Sequence, residues 1–232
     1  AAGVGNGLGG RTNGASLDPY DVIIYTSGEL AQNTLSNGDY TRDSGNDLAT
    51  LANWQAGGDR NLFLTGDNLA SDLASNQGPA GVDFLQQVMG VDWVATDLRP
   101  LINNQPTPLV QIVQGNQVLW DLRSWVAYGA CPGINNFDAV TARPGAARLA
   151  EFADDLGNIG SYPYSAATLM ISSGNNRAVS MPYDWANIMT PVDQKVAAPH
   201  AARVICMLNI LNFFGTDIMG ELSLVPAVPS FG

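Results

Sequence analysis

Two short polar segments follow apolar runs and carry the residues best suited to chemistry. Thr26, Ser27, Gly28 and Glu29 come after Asp21-Val22-Ile23-Ile24-Tyr25, and Thr65, Gly66, Asp67 and Asn68 come after Asn61-Leu62-Phe63-Leu64. If those runs are neighbouring strands, Glu29 and Asp67 share the crevice outside their C-terminal ends, where open α/β sheets collect ligands. Two carboxylates so placed can act as general acid and base or hold a hard cation. Tyr183 and Asp184, after a later apolar run, can line the same crevice, and an aromatic ring beside a carboxylate suits a sugar. The plainer expectation is that Asp67 caps the helix that follows while Glu29 is solvated.

A second group of acids, Asp39, Asp43 and Asp47, crowds around Gly45 with Asn46 and offers the all-oxygen set that calcium takes. Its spacing departs from the EF-hand loop, Arg42 offsets charge, and Asp43 and Asp47 serve equally well as helix-capping acids. Calcium is the one cofactor this composition leaves room for, and the simplest expectation is none. His200 is the only histidine, which removes zinc sites that need two imidazoles. Cys131 and Cys206 are 75 positions apart and admit a disulfide, two buried thiols or one reactive thiol; an Asn-rich, Lys-poor chain favours the disulfide. The glycines of residues 3–10 follow no strand and lack the Gly-Lys-Ser/Thr ending of a phosphate loop. No G-x-S-x-G elbow is present for a serine hydrolase.

Composition narrows the partners. Of 232 residues 46% are hydrophobic, enough for a sizeable core, and only 13% are charged. Twenty-one acids against ten basic residues give a net charge of −11, which argues against nucleic acid and anionic membrane surfaces. Lys195 is the sole lysine, so solubility rests on Asn, Ser, Thr, Gln and Gly, a balance that suits an extracellular or cell-surface protein. No run of 18 apolar residues spans a membrane. Residues 1–19 have no signal-peptide pattern, so export would require a signal already removed.

The elements that must position these residues alternate. A strand at 21–25 precedes a helix capped by Asp43 or Ser44 and stopped at Gly57-Gly58; a second strand at 61–65 precedes helical stretches around Leu69 and Leu73 and over 82–89, the latter closed by Gly90. Strand, helix, strand, helix with short connections predicts βαβ units and a parallel sheet. Residues 91–125 change texture, with short runs at 91–94, 109–113 and 117–120 between proline and Gly-Asn turns, and read as an inserted antiparallel hairpin or small antiparallel layer. Further strands are expected at 136–140, 167–171 and 177–181, the last two joined by a turn at 173–176. A closing helix is expected over 198–214, ended by Gly215.

Taken together, YDVIIYTSGEL, WQAGGDRNLFLTGDNLASDL, AVSMPYDW and the closing NILNFFG resemble a class I glutamine amidotransferase-like, flavodoxin-like domain of the kind found in large secreted bacterial proteins. The resemblance implies an α/β fold, a mostly parallel sheet flanked by helices. It also implies a catalytic cysteine on the turn after the second strand and a histidine before a proline after a late strand. This chain has Asp67 in the first place and Met181-Pro182 in the second, so the dyad is missing. Such domains also begin with strands that have no counterpart here, which predicts an uncovered sheet edge able to pair with another chain.

The organisation expected is a flexible Gly/Asn-rich arm over 1–19, one α/β domain over 20–222 and a Pro-containing linker or edge segment over 223–232. The function expected is that of a secreted, non-catalytic module for extracellular interaction, attachment or self-assembly, with a protein partner or copies of itself. The alternative is a degenerate or carboxylate-based hydrolase, directed at a glycan, using Glu29, Asp67 and Asp184.

Overall fold

The computed structural model describes residues 14–35, 47–120, 122–127, 137–191 and 201–216. Gly14–Leu17 forms a short helix, α1, and Val22–Gly28 the first strand, β1. Helix α2, Asp47–Gln55, leads to β2, Asn61–Gly66; α3, Leu69–Ser75, and α4, Gly78–Phe84, follow. A π-helical turn, Leu85–Met89, extends α4 and stops at Gly90, whose φ of +67° is one a side chain rarely adopts and whose Cβ would lie 2.7 Å from that of Ala146. Strands β3 (Val91–Ala95), β4 (Leu109–Ile112), β5 (Ser124–Ala127), β6 (Ala139–Ala142), β7 (Ala147–Phe152), β8 (Ser165–Ser172), β9 (Asn176–Met181) and β10 (Ile188–Met189) come next, and α5, Ala201–Phe213, closes the described chain.

Among the described residues an eight-stranded sheet runs in the order β1-β2-β9-β8-β7-β4-β5-β10, and β3 pairs with β6 in a separate two-stranded sheet. The α/β architecture is the one expected, but the sheet is mixed: β1, β2 and β9 are parallel to one another, and the remaining pairings are antiparallel. Connection length explains this. A parallel pair needs a crossover of a dozen or more residues, which the helices after β1 and β2 supply, whereas the three residues between β8 and β9 allow only a hairpin. The region over 91–125 is antiparallel, as expected, and divides between the two sheets. Its first strand joins β6, its β4 and β5 extend the main sheet, and residues 117–120 form no strand.

Strand β2, next to the edge strand β1, is buried along its whole length. Leu62 and Leu64 face a cluster with Leu51, Trp54, Leu69, Leu73 and Phe84 of the helices, while Phe63 faces a second cluster with Val179, Tyr183, Cys206 and Ile210, so helices cover both faces. Each fully buried side chain of this size contributes about 1.5–3 kcal/mol. The end of the glycine-rich segment takes part: Leu17 is buried, and its carbonyl accepts from Trp54 Nε1 at 3.1 Å. Residues 1–13 and the Pro-containing segment over 223–232 lie outside the described residues. No helix among those described is long and apolar enough to cross a membrane.

Candidate functional site

The C-terminal ends of β1, β2 and β9 bring most of the sequence-selected residues into one place. Strand pairing sets Thr26 beside Thr65 and Gly28 beside Gly66, with Thr65 in turn beside Met181 at the end of β9. The approach at Gly66 is close. A Cβ there would lie 1.8 Å from Ser27 Oγ, so only glycine lets the buried Ser27 side chain lie across the neighbouring strand.

Asp67 stands at the centre with no exposed surface. Its backbone N–H donates to Gly28 O at 2.9 Å, and its carbonyl accepts from Asp138 N at 3.0 Å. Its carboxylate Oδ1 accepts from Asp184 N at 2.7 Å and from Asn187 Nδ2 at 3.2 Å. Thr65 Oγ1 donates to Tyr183 O and accepts from Trp185 N at 2.7 Å. Asp184 caps the short 3-10 turn Trp185–Asn187, accepting from Ala186 N, and also accepts from Thr26 Oγ1 at 3.1 Å. The loop after β9 is thus strapped across the ends of β1 and β2. Asp67 holds that loop instead of capping α3, which shows no side-chain cap bond from the preceding Asn68 either.

Electrostatics single out two acids. Burial pushes the Asp67 carboxyl from 3.8 up to about 7, against the hydrogen bond from Asp184 N and with the negative charges of Asp184 and Glu29 adding to the rise. Asp138 is also pushed from 3.8 to about 7 by burial, despite hydrogen bonds from Ser71 and Ala70, and the Asp67 charge adds to it. Asp138 Oδ2 accepts from Ser71 N at 2.8 Å in the first turn of α3, while its Oδ1 is buried without a partner. Sequence inspection did not select Asp138; the available signal was a lone acid within the apolar run Phe137-Asp138-Ala139-Val140.

A carboxyl with a pKa near 7 has the proton affinity that acid–base catalysis uses. Asp67 nevertheless lacks two further requirements. It is sealed from solvent in this conformation, and its backbone is not the strained turn of a nucleophile: the described non-glycine residues with left-handed φ are Asn33, Asp59, Asn103, Asn104 and Asn175. Glu29 is exposed. Tyr183 does not line the crevice but lies fully buried, its phenol oxygen accepting from Trp125 Nε1 at 2.9 Å and its ring 5.5 Å from that of Phe137.

The remaining candidates divide. Asp47 opens α2 as a buried residue, while Asp39 and Asp43 lie outside the described residues; no group of three metal-ligating side chains occurs among those described. Cys206 is a fully buried free thiol whose pKa is pushed up by burial, and Cys131 and His200 lie outside the described residues. The disulfide expected between Cys131 and Cys206 therefore finds no support.

No protein-family model matches the chain, and no curated protein matches it in sequence. Among solved structures it is similar to a cytoplasmic protein from Salmonella typhimurium, at 15% identity and a TM-score of 0.51, over 87% of this chain and 74% of that one. It is also similar to a GMP synthase-type protein from Thermoplasma acidophilum, at 9% identity and a TM-score of 0.48, over 90% of this chain and 80% of that one. At 15% identity the likeness to the Salmonella protein is one of fold alone.

Proposed function

We propose that this chain is a non-catalytic α/β module that works by binding another chain, in the first place a second copy of itself, along the outer edge of β1. The observation carrying this reading is the position of β1. It is the terminal strand of the eight-stranded sheet, seven residues long, with Ile24 46% exposed in its middle and Tyr20 59% exposed just before it. A long apolar edge strand pairs readily with another strand. The opposite edge, β10, has two residues and offers much less. The absence of the amidotransferase dyad and the use of Asp67 and Asp184 to hold a loop both support a binding role over a catalytic one. The Asn- and Gly-rich, Lys-poor composition supports an exported, cell-surface setting for it.

Light scattering coupled to size exclusion tests the proposal. The chain is expected to run as a dimer or larger, and Ile24→Lys, whose charge can reach water from an already exposed position, is expected to run as a 24.5 kDa monomer with its thermal stability retained. A wild-type chain that stays monomeric at every concentration refutes self-association.

One observation favours a second reading, a carboxylate-based hydrolase acting on a glycan: Asp67, with a pKa of about 7, feels the charges of Glu29 and Asp184. A glycan-cleaving activity lost in Asp67→Asn with the fold intact would establish it.

A further inference from the structure

At the far side of the sheet from β1, the end of β4 and the connection from β4 to β5 line a cleft of about 530 Å3. Volumes of this size accommodate small ligands. The connection is firmly anchored. Asn116 Nδ2 donates to Val113 O at 2.7 Å and to Leu149 O at 3.2 Å, and its Oδ1 accepts from Leu119 N at 2.8 Å. Val118, Leu119 and Leu122 are buried, yet Trp120 between them is 71% exposed, the most exposed tryptophan among the described residues. A tryptophan held out by a segment whose neighbours are locked in the core is a fixed platform rather than a side chain that failed to find cover.

Charge defines what lies on that platform. The chain carries a net charge of −11, yet among the described residues no carboxylate lines the cleft, and Arg123 is the one charged residue of that lining. Arg123 and Gln114 are exposed, and Arg123 forms no ion pair among the described residues. Ile112 and Leu122 supply apolar surface beside them. We infer that this cleft binds a saccharide carrying a carboxylate group, a uronic or sialic acid unit. Trp120 stacks on the C–H face of the ring, Gln114 hydrogen-bonds hydroxyls, and the Arg123 guanidinium pairs with the carboxylate through two parallel N–H···O bonds. A long polyanion such as single-stranded nucleic acid also offers planar rings and negative charge, but the field of the whole chain opposes its many charges far more than the single carboxylate of one sugar unit held at Arg123.

Calorimetric titration of the full chain tests this, using galacturonate, glucuronate and sialic acid oligosaccharides, their neutral counterparts and a single-stranded oligonucleotide. At least one acidic oligosaccharide is expected to bind more tightly than its neutral counterpart. Trp120→Ala should weaken it tenfold or more, and Arg123→Gln should reduce it to the affinity of the neutral sugar. Both side chains are exposed, and the Arg123 variant keeps the platform should the Trp120 variant fold poorly. Failure of every acidic sugar to bind, binding unchanged in both variants, or tighter binding of the oligonucleotide overturns the inference. Neither variant touches β1, so the oligomeric state is read separately.

Discussion

Replacing Asp67 with asparagine isolates the cost of burying its charge. Burial raises its pKa from 3.8 to about 7, a difference of roughly 3 units, and each unit corresponds to about 1.4 kcal/mol. Because the folded-state value lies above the unfolded one, the folded chain binds more protons between pH 4 and 7. Stability from this group is therefore complete below about pH 4, falls as pH rises through that window, and is fully lost above it. The loss amounts to about 4 kcal/mol at most. Asp138, raised to about 7 as well and coupled to Asp67, falls in the same window. Asparagine keeps the Oδ1 that accepts from Asp184 N and Asn187 Nδ2 but cannot ionise. Urea denaturation at pH 5 and pH 8 should show a steep loss of stability in the wild type and a loss smaller by about 2–4 kcal/mol in Asp67→Asn. A variant whose loss equals that of the wild type, or which is weaker at pH 8 by as much as at pH 5, would refute the assignment of Asp67 as a buried acid whose ionisation opposes folding.

Two further outcomes follow from packing. Gly66→Ala drives a methyl to within 1.8 Å of Ser27 Oγ, so a calorimetric melt should show a destabilisation of about 1–3 kcal/mol, and Ser27→Ala in the same chain should recover part of it. Cys206, buried with its thiol pKa pushed up, should resist maleimide in the native protein and react only under denaturant, as read by peptide mass spectrometry; rapid native labelling would show that α5 opens.

Much of the parallel half was legible in the sequence. The apolar runs at β1 and β2, the turn between β8 and β9, the Gly90 stop and the closing helix all carry local signals that tertiary packing does not override. The antiparallel half was harder. Strand β7, ARLAEF, went unrecognised because its alanines, arginine and glutamate have low strand propensity, and its last four residues are buried only through pairing with β4 and β8. Gln117-Val118-Leu119-Trp120 has the composition of a strand, but Asn116 pins it as a turn and its buried residues are consecutive rather than alternate. At the strand ends, Thr26, Thr65, Asp67 and Asp184 were legible as neighbours because strand termini collect polar side chains, whereas Tyr183 turns into the core. What the sequence did not convey was that Asp67 would be sealed by the loop after β9, because Asp184 N and Asn187 lie about 120 positions away.

The seating of β9 between β2 and β8 also governs how the chain must fold. Its partner on one side is adjacent in sequence, while β2 on the other side is 116 positions away, Asn61 against Arg177. The hairpin of β8 and β9 needs closure of only a three-residue turn, whereas docking β9 onto β2 requires closure of a loop longer than many whole domains, an entropic cost that the packing of both halves must offset. The two halves of the sheet therefore acquire stability together, and a chain cut between β7 and β8 would leave β2 without the neighbour that buries its inner edge.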